Sequence, residues 1–195
     1  MPGCTGGLRY TSFTGRVRAR IVRIMRTAPD RHNPPPDGAG TPHRYNDDIM
    51  QWFGELVISP VYESESVGFD GSDFLNLVVG VETDLPVGEL SARFKQLERE
   101  NGRKPDAPKF SPRTLDLDIL TWGNVTGVTD GVELPRAEIL KNAFVLRPLA
   151  DIAPEDVHPV CSESYGRLWQ AYSTDQKLWP VDFTWQGRRI SQAVG

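Results

Sequence analysis

The sequence predicts one α/β sandwich in which helices pack on a largely antiparallel sheet, preceded by an irregular basic N-terminal segment. Three observations carry that prediction. Two runs rich in Val, Leu and aromatics, "ELVISPVYES" at 55–64 and "DFLNLVVGVETDL" at 73–85, flank the turn-prone "VGFDGSD" and read as adjacent antiparallel strands. An amphipathic helix follows at 85–102. Strand alternation then returns in "TLDLDILTW" at 114–122. The 195 residues suit one domain with a sizeable core rather than two.

Taken in order, "GLRYTSFTG" at 7–15 reads as a short strand. "RVRARIVRIMRTA" at 16–28 reads as a basic amphipathic helix, with Val17, Ile21, Ile24 and Met25 near one face. The first acid is Asp30, so the opening also has the Arg-rich, acid-free composition of an organellar transit peptide, the alternative to a cytoplasmic location. Residues 29–48 are dense in Pro, Gly and Asp and are expected to form an extended or disordered linker, which divides the chain into a segment 1–48 and a domain 49–195. In the helix at 85–102, Leu90, Phe94 and Leu97 form one stripe, with Pro86 near the start and Gly102 as the stop. After the strand at 114–122 come a short helical segment near 136–143, a buried run "FVLRPL" at 144–149 and a final helix around 163–173.

Charge narrows the function classes. The net charge is −4, but residues 1–53 hold eight Lys/Arg and four Asp/Glu, leaving fourteen against twenty-two in the body. An acidic body argues against general nucleic-acid binding, so any phosphate site must be local. Cys4 and Cys161 are too few for a disulfide framework, which points to a reducing compartment, and His32, His43 and His158 have no metal-ligand spacing. No apolar run approaches the roughly 20 residues of a membrane-spanning helix. The expectation is a cytoplasmic monomer that engages neither membrane nor nucleic acid.

Within "FSPRTLDLDIL" at 110–120, Asp116 and Asp118 share one strand face while Leu115, Leu117 and Ile119 share the other. Two like charges at that spacing repel unless water or a cation separates them. The pair therefore reads either as the solvated face of an edge strand or as a site for a hard divalent cation that also meets substrate phosphates. Pro112 sets the start of the strand, and Arg113 puts a cation beside the acids, which suits phosphate.

"SPRTLDLDIL", preceded by "FLNLVVGVET" and "LERENGR" and followed by "NAFVLRPLADIAP", resembles the 6-hydroxymethyl-7,8-dihydropterin pyrophosphokinases of folate biosynthesis, from about Ser59 to Pro159. The resemblance implies a ferredoxin-like sandwich that moves pyrophosphate from ATP to the hydroxymethyl group of a reduced pterin and releases AMP. It implies two Mg²⁺ ions held by Asp116 and Asp118, with Arg113 and Arg103 on phosphate oxygens. Glu98, Phe110 and Ile119 fall at nucleotide-site positions, Phe110 in a closing loop where tryptophan is common. Phe74 and Phe144 fall at pterin-stacking positions, and Asn76 at that of an amide partner for the ring. From the residues alone, Glu98 reads equally as a solvated acid off the face of Phe94 and Leu97, and Phe74 as a core aromatic. Departures accompany the match. "SFTGR" stands where the family has a Gly-Ser-Asn turn, Arg136 where histidine is usual, and Asn142 and Pro105 where arginines are common. Three readings stay open: an active pyrophosphokinase, a catalytically weakened homologue that binds pterin or nucleotide or acts as an interaction module, and another metal-dependent phosphotransferase.

Overall fold

The computed structural model describes residues 17–21, 26–27, 42–65, 73–100 and 115–193. Arg103, Pro105, Phe110, Pro112, Arg113 and the strand read at 7–15 lie outside the described residues. The chain runs β1 (Val17–Ile21), β2 (Arg26–Thr27), α1 (Pro42–Phe53), β3 (Val57–Ile58), β4 (Tyr62–Ser64), β5 (Phe74–Asn76), β6 (Val79–Thr83), α2 (Val87–Glu100) and β7 (Ile119–Trp122). A hairpin of β8 (Gly127–Thr129) and β9 (Val132–Leu134), a 3-10 turn at Ala137–Leu140, α3 (Ala143–Ile152) and α4 (Tyr165–Gln170) come next. β10 (Leu178–Pro180), β11 (Phe183–Trp185) and β12 (Arg188–Ser191) complete the described chain.

The central sheet has the order β3-β6-β1-β7 with every neighbour antiparallel. α1 carries the chain from β1 past β6 to β3, and α2 carries it from β6 past β1 to β7. Two such interleaved crossovers make the ferredoxin-like topology. The segment 16–28, for which the apolar spacing predicts a helix, instead supplies β1 at the sheet's centre and β2 beside β5. "VRARI" also alternates with period two, and pairing along both sides of β1 favours the strand. α1 likewise begins inside the stretch 29–48 read as linker.

Apolar side chains alternate between the sheet's two faces. Val79, Val81, Leu117 and Ile119 pack with Ile49 of α1 and with Val87, Leu90, Phe94 and Leu97 of α2, whose spacing fits one helical stripe. Val78 and Leu120 pack on the other side with Val145, Leu146 and Leu149 of α3 and Tyr165 of α4. The result is helix, sheet, helix. "FVLRPL", read as a buried run, is the inward part of α3.

The strands read at 55–64 and 73–85 each break in two, at Ser59-Pro60 and at Leu77-Val78. The breaks face each other. Ser59 N–H donates to the Val78 carbonyl at 2.9 Å, and Val78 N–H donates to Ser59 Oγ at 2.9 Å, so one residue pins both. Pro60 has no N–H to continue a ladder. Beyond the kink, β4 and β5 leave the central sheet and join a second one, ordered β10-β4-β5-β2.

The strands after α4 have no counterpart in the sequence reading. They are short: β10 pairs with β4, β11 buries Phe183 and Trp185 in the core, and long-range side-chain bonds reinforce both. Trp179 Nε1 donates to Glu63 Oε2 at 2.7 Å, and Trp185 Nε1 to Asp47 Oδ1 at 2.9 Å. Gln176 Oε1 accepts the Ala143 N–H at 2.7 Å, capping α3 where the Asn142 side chain does not. In the turn before α4, His158 Nδ1 accepts the N–H groups of Val160 and Cys161, both at 3.3 Å, and its ring stands edge-on to Tyr165.

Burial lowers the His158 pKa from its ordinary value, so folding favours the neutral imidazole. With the folded pKa below the unfolded one, its contribution is complete above the unfolded value of about 6.5 and is lost as pH falls below it. Urea unfolding at about pH 7.5 and pH 5.5 tests this, because His158→Asn keeps a side-chain acceptor but cannot titrate. The variant is expected to lose less stability on acidification than the wild type. Parallel losses would show that His158 does not govern that slope.

Candidate active site

The acid-bearing segment starts from burial. Leu115, Leu117 and Ile119 lie 1%, 7% and 4% exposed in the core under α1 and α2, while Asp116 and Asp118 are half-buried. Period two thus turns both acids to the face that Leu120 shares with α3. The strand read from 114 joins the ladder only at Ile119, where β1 pairs with it, so both acids precede the hydrogen-bonded part.

Glu98 sets that segment. It lies four residues after Phe94, on the buried stripe of α2 rather than off it, and only 2% of it is exposed. Its Oε1 accepts the N–H of Leu117, the residue between the two acids, at 2.8 Å. The solvated-acid reading of Glu98 is overturned: a buried carboxylate satisfies a backbone donor that has left the ladder.

The repulsion between the acids has a protein counterpart that the sequence reading left to water or metal. Arg136 Nη2 lies 2.9 Å from Asp118 Oδ1 and 3.0 Å from Glu138 Oε2, and Arg136 Nε donates to the same Glu138 oxygen at 3.1 Å. The Arg136 N–H donates to the Leu120 carbonyl at 2.9 Å, which registers residue 136 beside the segment. Sequence reasoning noted Arg136 as a departure from the family pattern, with Arg136 or Lys141 as a substitute for positive charge lost near the triphosphate, and missed Glu138. Strand alternation gave no sign that a residue eighteen positions beyond Asp118 would return to it.

On the outer half of the kinked hairpin, Asn76 is 1% exposed and its Nδ2 donates to Ser64 Oγ at 3.0 Å and to the Phe74 carbonyl at 3.2 Å. Its Oδ1 is buried without a partner, one of four such atoms among the described residues, with both amide atoms of Asn46 and Trp122 Nε1. Bonds on the donor side hold the amide so that an acceptor remains for an incoming N–H. Phe74, two residues earlier on the same strand face, is half-buried and outside both core clusters. Phe144 is 8% exposed in the α3-side core, and Ile119 is a core residue whose side chain points away from the acids.

Among the described residues no group of three or more His, Cys, Asp or Glu is placed to hold a metal ion. A pair of half-buried carboxylates nevertheless fits Mg²⁺, which takes one or two carboxylates and completes its octahedron with water and substrate phosphates. No helix among the described residues is long and apolar enough to cross a membrane.

The fold is a ferredoxin-like α/β sandwich that carries a carboxylate pair and a buried amide oxygen without a partner. The chain belongs to the 7,8-dihydro-6-hydroxymethylpterin-pyrophosphokinase (HPPK) family, whose model matches residues 44–154. It is 38% identical over 104 residues to a 2-amino-4-hydroxy-6-hydroxymethyldihydropteridine pyrophosphokinase of Aquifex aeolicus, covering 53% of this chain and 64% of that protein. It is 36% identical over 99 residues to the Bacillus subtilis protein of the same name, covering 50% and 59%. A folate synthesis bifunctional protein of Arabidopsis thaliana is 38% identical over 113 residues, 56% of this chain and 23% of that protein. The chain thus matches less than two thirds of the length of each of these relatives.

If Glu98 holds the acid segment, Glu98→Ala leaves the Leu117 N–H buried without a partner and should cost about 1–3 kcal/mol in urea unfolding. Glu98→Gln keeps an acceptor oxygen and should lose clearly less. Equal losses would mean that the carboxylate's charge, not this hydrogen bond, sets the cost.

Proposed function

We propose that the protein transfers pyrophosphate from ATP to 6-hydroxymethyl-7,8-dihydropterin, giving the pterin diphosphate and AMP, in folate biosynthesis. One observation carries the reading: the family-matched stretch 44–154 holds both the buried acceptor of Asn76 and the carboxylate pair Asp116 and Asp118. Relatives bearing the pyrophosphokinase name support it.

In this reading the Asn76 Oδ1 accepts a ring N–H of the pterin, Phe74 lies against the ring, and Phe144 borders it from the α3-side core. The hydroxymethyl oxygen attacks the β-phosphorus of ATP. The bond from that phosphorus to the oxygen bridging toward the α-phosphate breaks, AMP leaves with that oxygen, and the hydroxyl proton passes to solvent. Asp116 and Asp118 would hold Mg²⁺, whose chemistry here is neutralisation of phosphate charge and orientation of the reacting oxygens. Glu98 keeps the backbone between the two acids in place. Arg103 and Arg113 are assigned to phosphate oxygens, and Phe110 and Ile119 to the nucleotide, on the resemblance alone. With little covalent work for the protein to do, positioning and electrostatics supply the rate.

A second reading, a pterin- or nucleotide-binding homologue with weakened catalysis, is favoured by the Arg136 guanidinium on Asp118, which occupies a carboxylate the reaction needs. AMP release with Mg²⁺-ATP, with and without the pterin, separates the two. Pterin-dependent AMP is the expected result, and pterin or nucleotide binding without AMP would establish the second reading.

In the same assay Asp116→Asn and Asp118→Asn should each lower turnover by about a hundredfold or more, since loss of a metal ligand costs several kcal/mol at about 1.4 kcal/mol per tenfold. Asp118→Asn should also melt lower than the wild type without ligands, because it leaves Arg136 with Glu138 alone. Turnover within about threefold of wild type in both variants would leave the acids with no part in catalysis. Phe74→Ala should weaken pterin binding about tenfold, roughly 1.4 kcal/mol, with ATP binding unchanged. Equal loss of both ligands would make Phe74 structural.

A further inference from the structure

The Arg136 guanidinium is placed as a competitor for a metal ligand. It lies 2.9 Å from Asp118 Oδ1, and the two side chains are 32% and 19% exposed, so bulk water screens the pair less than it would at an open surface. A divalent cation that binds through Asp118 must take this oxygen from the guanidinium or share it at close like-charge range. Glu138 limits how far the displaced guanidinium can travel. It holds Arg136 by both Nε and Nη2, and the Leu120 carbonyl holds the backbone N–H of Arg136, so a guanidinium displaced from Asp118 stays tethered beside the acids. A tethered, planar cation released next to a bound metal is suited to a phosphate oxygen.

We propose that Arg136 is a positioning residue that couples metal to nucleotide: it occupies Asp118 until a triphosphate arrives, and then exchanges the carboxylate for a phosphate oxygen as the cation takes its place. The inference rests on the reading of Asp116 and Asp118 as cation ligands. Its signature is a metal affinity that is suppressed in the nucleotide-free protein and recovers when nucleotide is bound, without any change in the acids themselves.

The test is Mn²⁺ binding to the full chain, followed by the paramagnetic resonance signal of free Mn²⁺, in the nucleotide-free protein and then with a non-hydrolysable ATP analogue. Without nucleotide, Arg136→Gln should bind Mn²⁺ about five- to tenfold more tightly than wild type, and Arg136→Lys should fall between them. Arg167→Gln removes an arginine of α4 that pairs with Glu163, just before that helix, and should stay within about twofold of wild type, excluding a general net-charge effect. With the analogue bound, the advantage of Arg136→Gln should vanish or reverse. Mn²⁺ affinity of Arg136→Gln within about twofold of wild type without nucleotide would overturn the proposal. If that variant does not fold, the neutral Arg136→Met replaces it under the same threshold. Asp116→Asn and Asp118→Asn separate the two failures. If they abolish Mn²⁺ binding while the Arg136 variants leave it unchanged, only the competition is wrong; if they leave it unchanged too, the metal reading falls and the proposal with it.

Discussion

The hydrogen bond from the Leu117 N–H to Glu98 Oε1, at 2.8 Å, is the interaction on which the rest of the acid face depends. Leu115, Leu117 and Ile119 are drawn into the core under α2, while Asp116 and Asp118 must face the other way, before the segment has joined the sheet ladder. A backbone that leaves a ladder strands its N–H groups, and a buried unpaired donor costs as much as a lost hydrogen bond. Glu98 supplies the missing acceptor from the same helical stripe that supplies Phe94 to the core. The price of a buried carboxylate is accepted at the one place where backbone geometry decides how two acids point.

Electrostatics on the other side of the segment has a different character. Arg136 and Glu138 leave a carboxylate of Asp118 matched by a guanidinium that is itself shared. Such an arrangement is stable yet exchangeable, since Arg136 keeps Glu138 when Asp118 is given up. A fully buried pair would resist exchange, and a fully exposed one would be too weak to matter. Half-burial suits a group that has to trade partners when a more highly charged ligand enters.

The region after residue 154, beyond the family match, is fastened to the family domain at several separate points. β10 borders β4, Trp179 bonds Glu63, Gln176 caps α3, and the β11–β12 hairpin places Phe183 and Trp185 in the core beneath α1. β4 in turn pairs with β5, which carries Phe74 and Asn76. The outer sheet that presents the amide is therefore edged on both sides, by β10 and by β2, with chain that lies outside the family match.

The acid pair, its apolar alternation, the α2 stripe and the family were legible in the residues, because periodicity and a dense local motif are written over a few consecutive positions. The same locality explains the errors. "VRARI" fits both a helix face and a strand, and the pairing of β1 between β6 and β7 decided in favour of the strand. Glu98 could be assigned to solvent or core only once Leu117 lay against it, and the division of two strands at Ser59 and Leu77 needed hydrogen bonds between residues nineteen apart. Period by itself determined that the two acids share a face, and the resemblance of the local motif named the residues that could serve a pyrophosphokinase of this family. Only the tertiary structure decided which partner each acid keeps, because hydrogen bonds and ion pairs act over about 3 Å in space and leave no period along the chain.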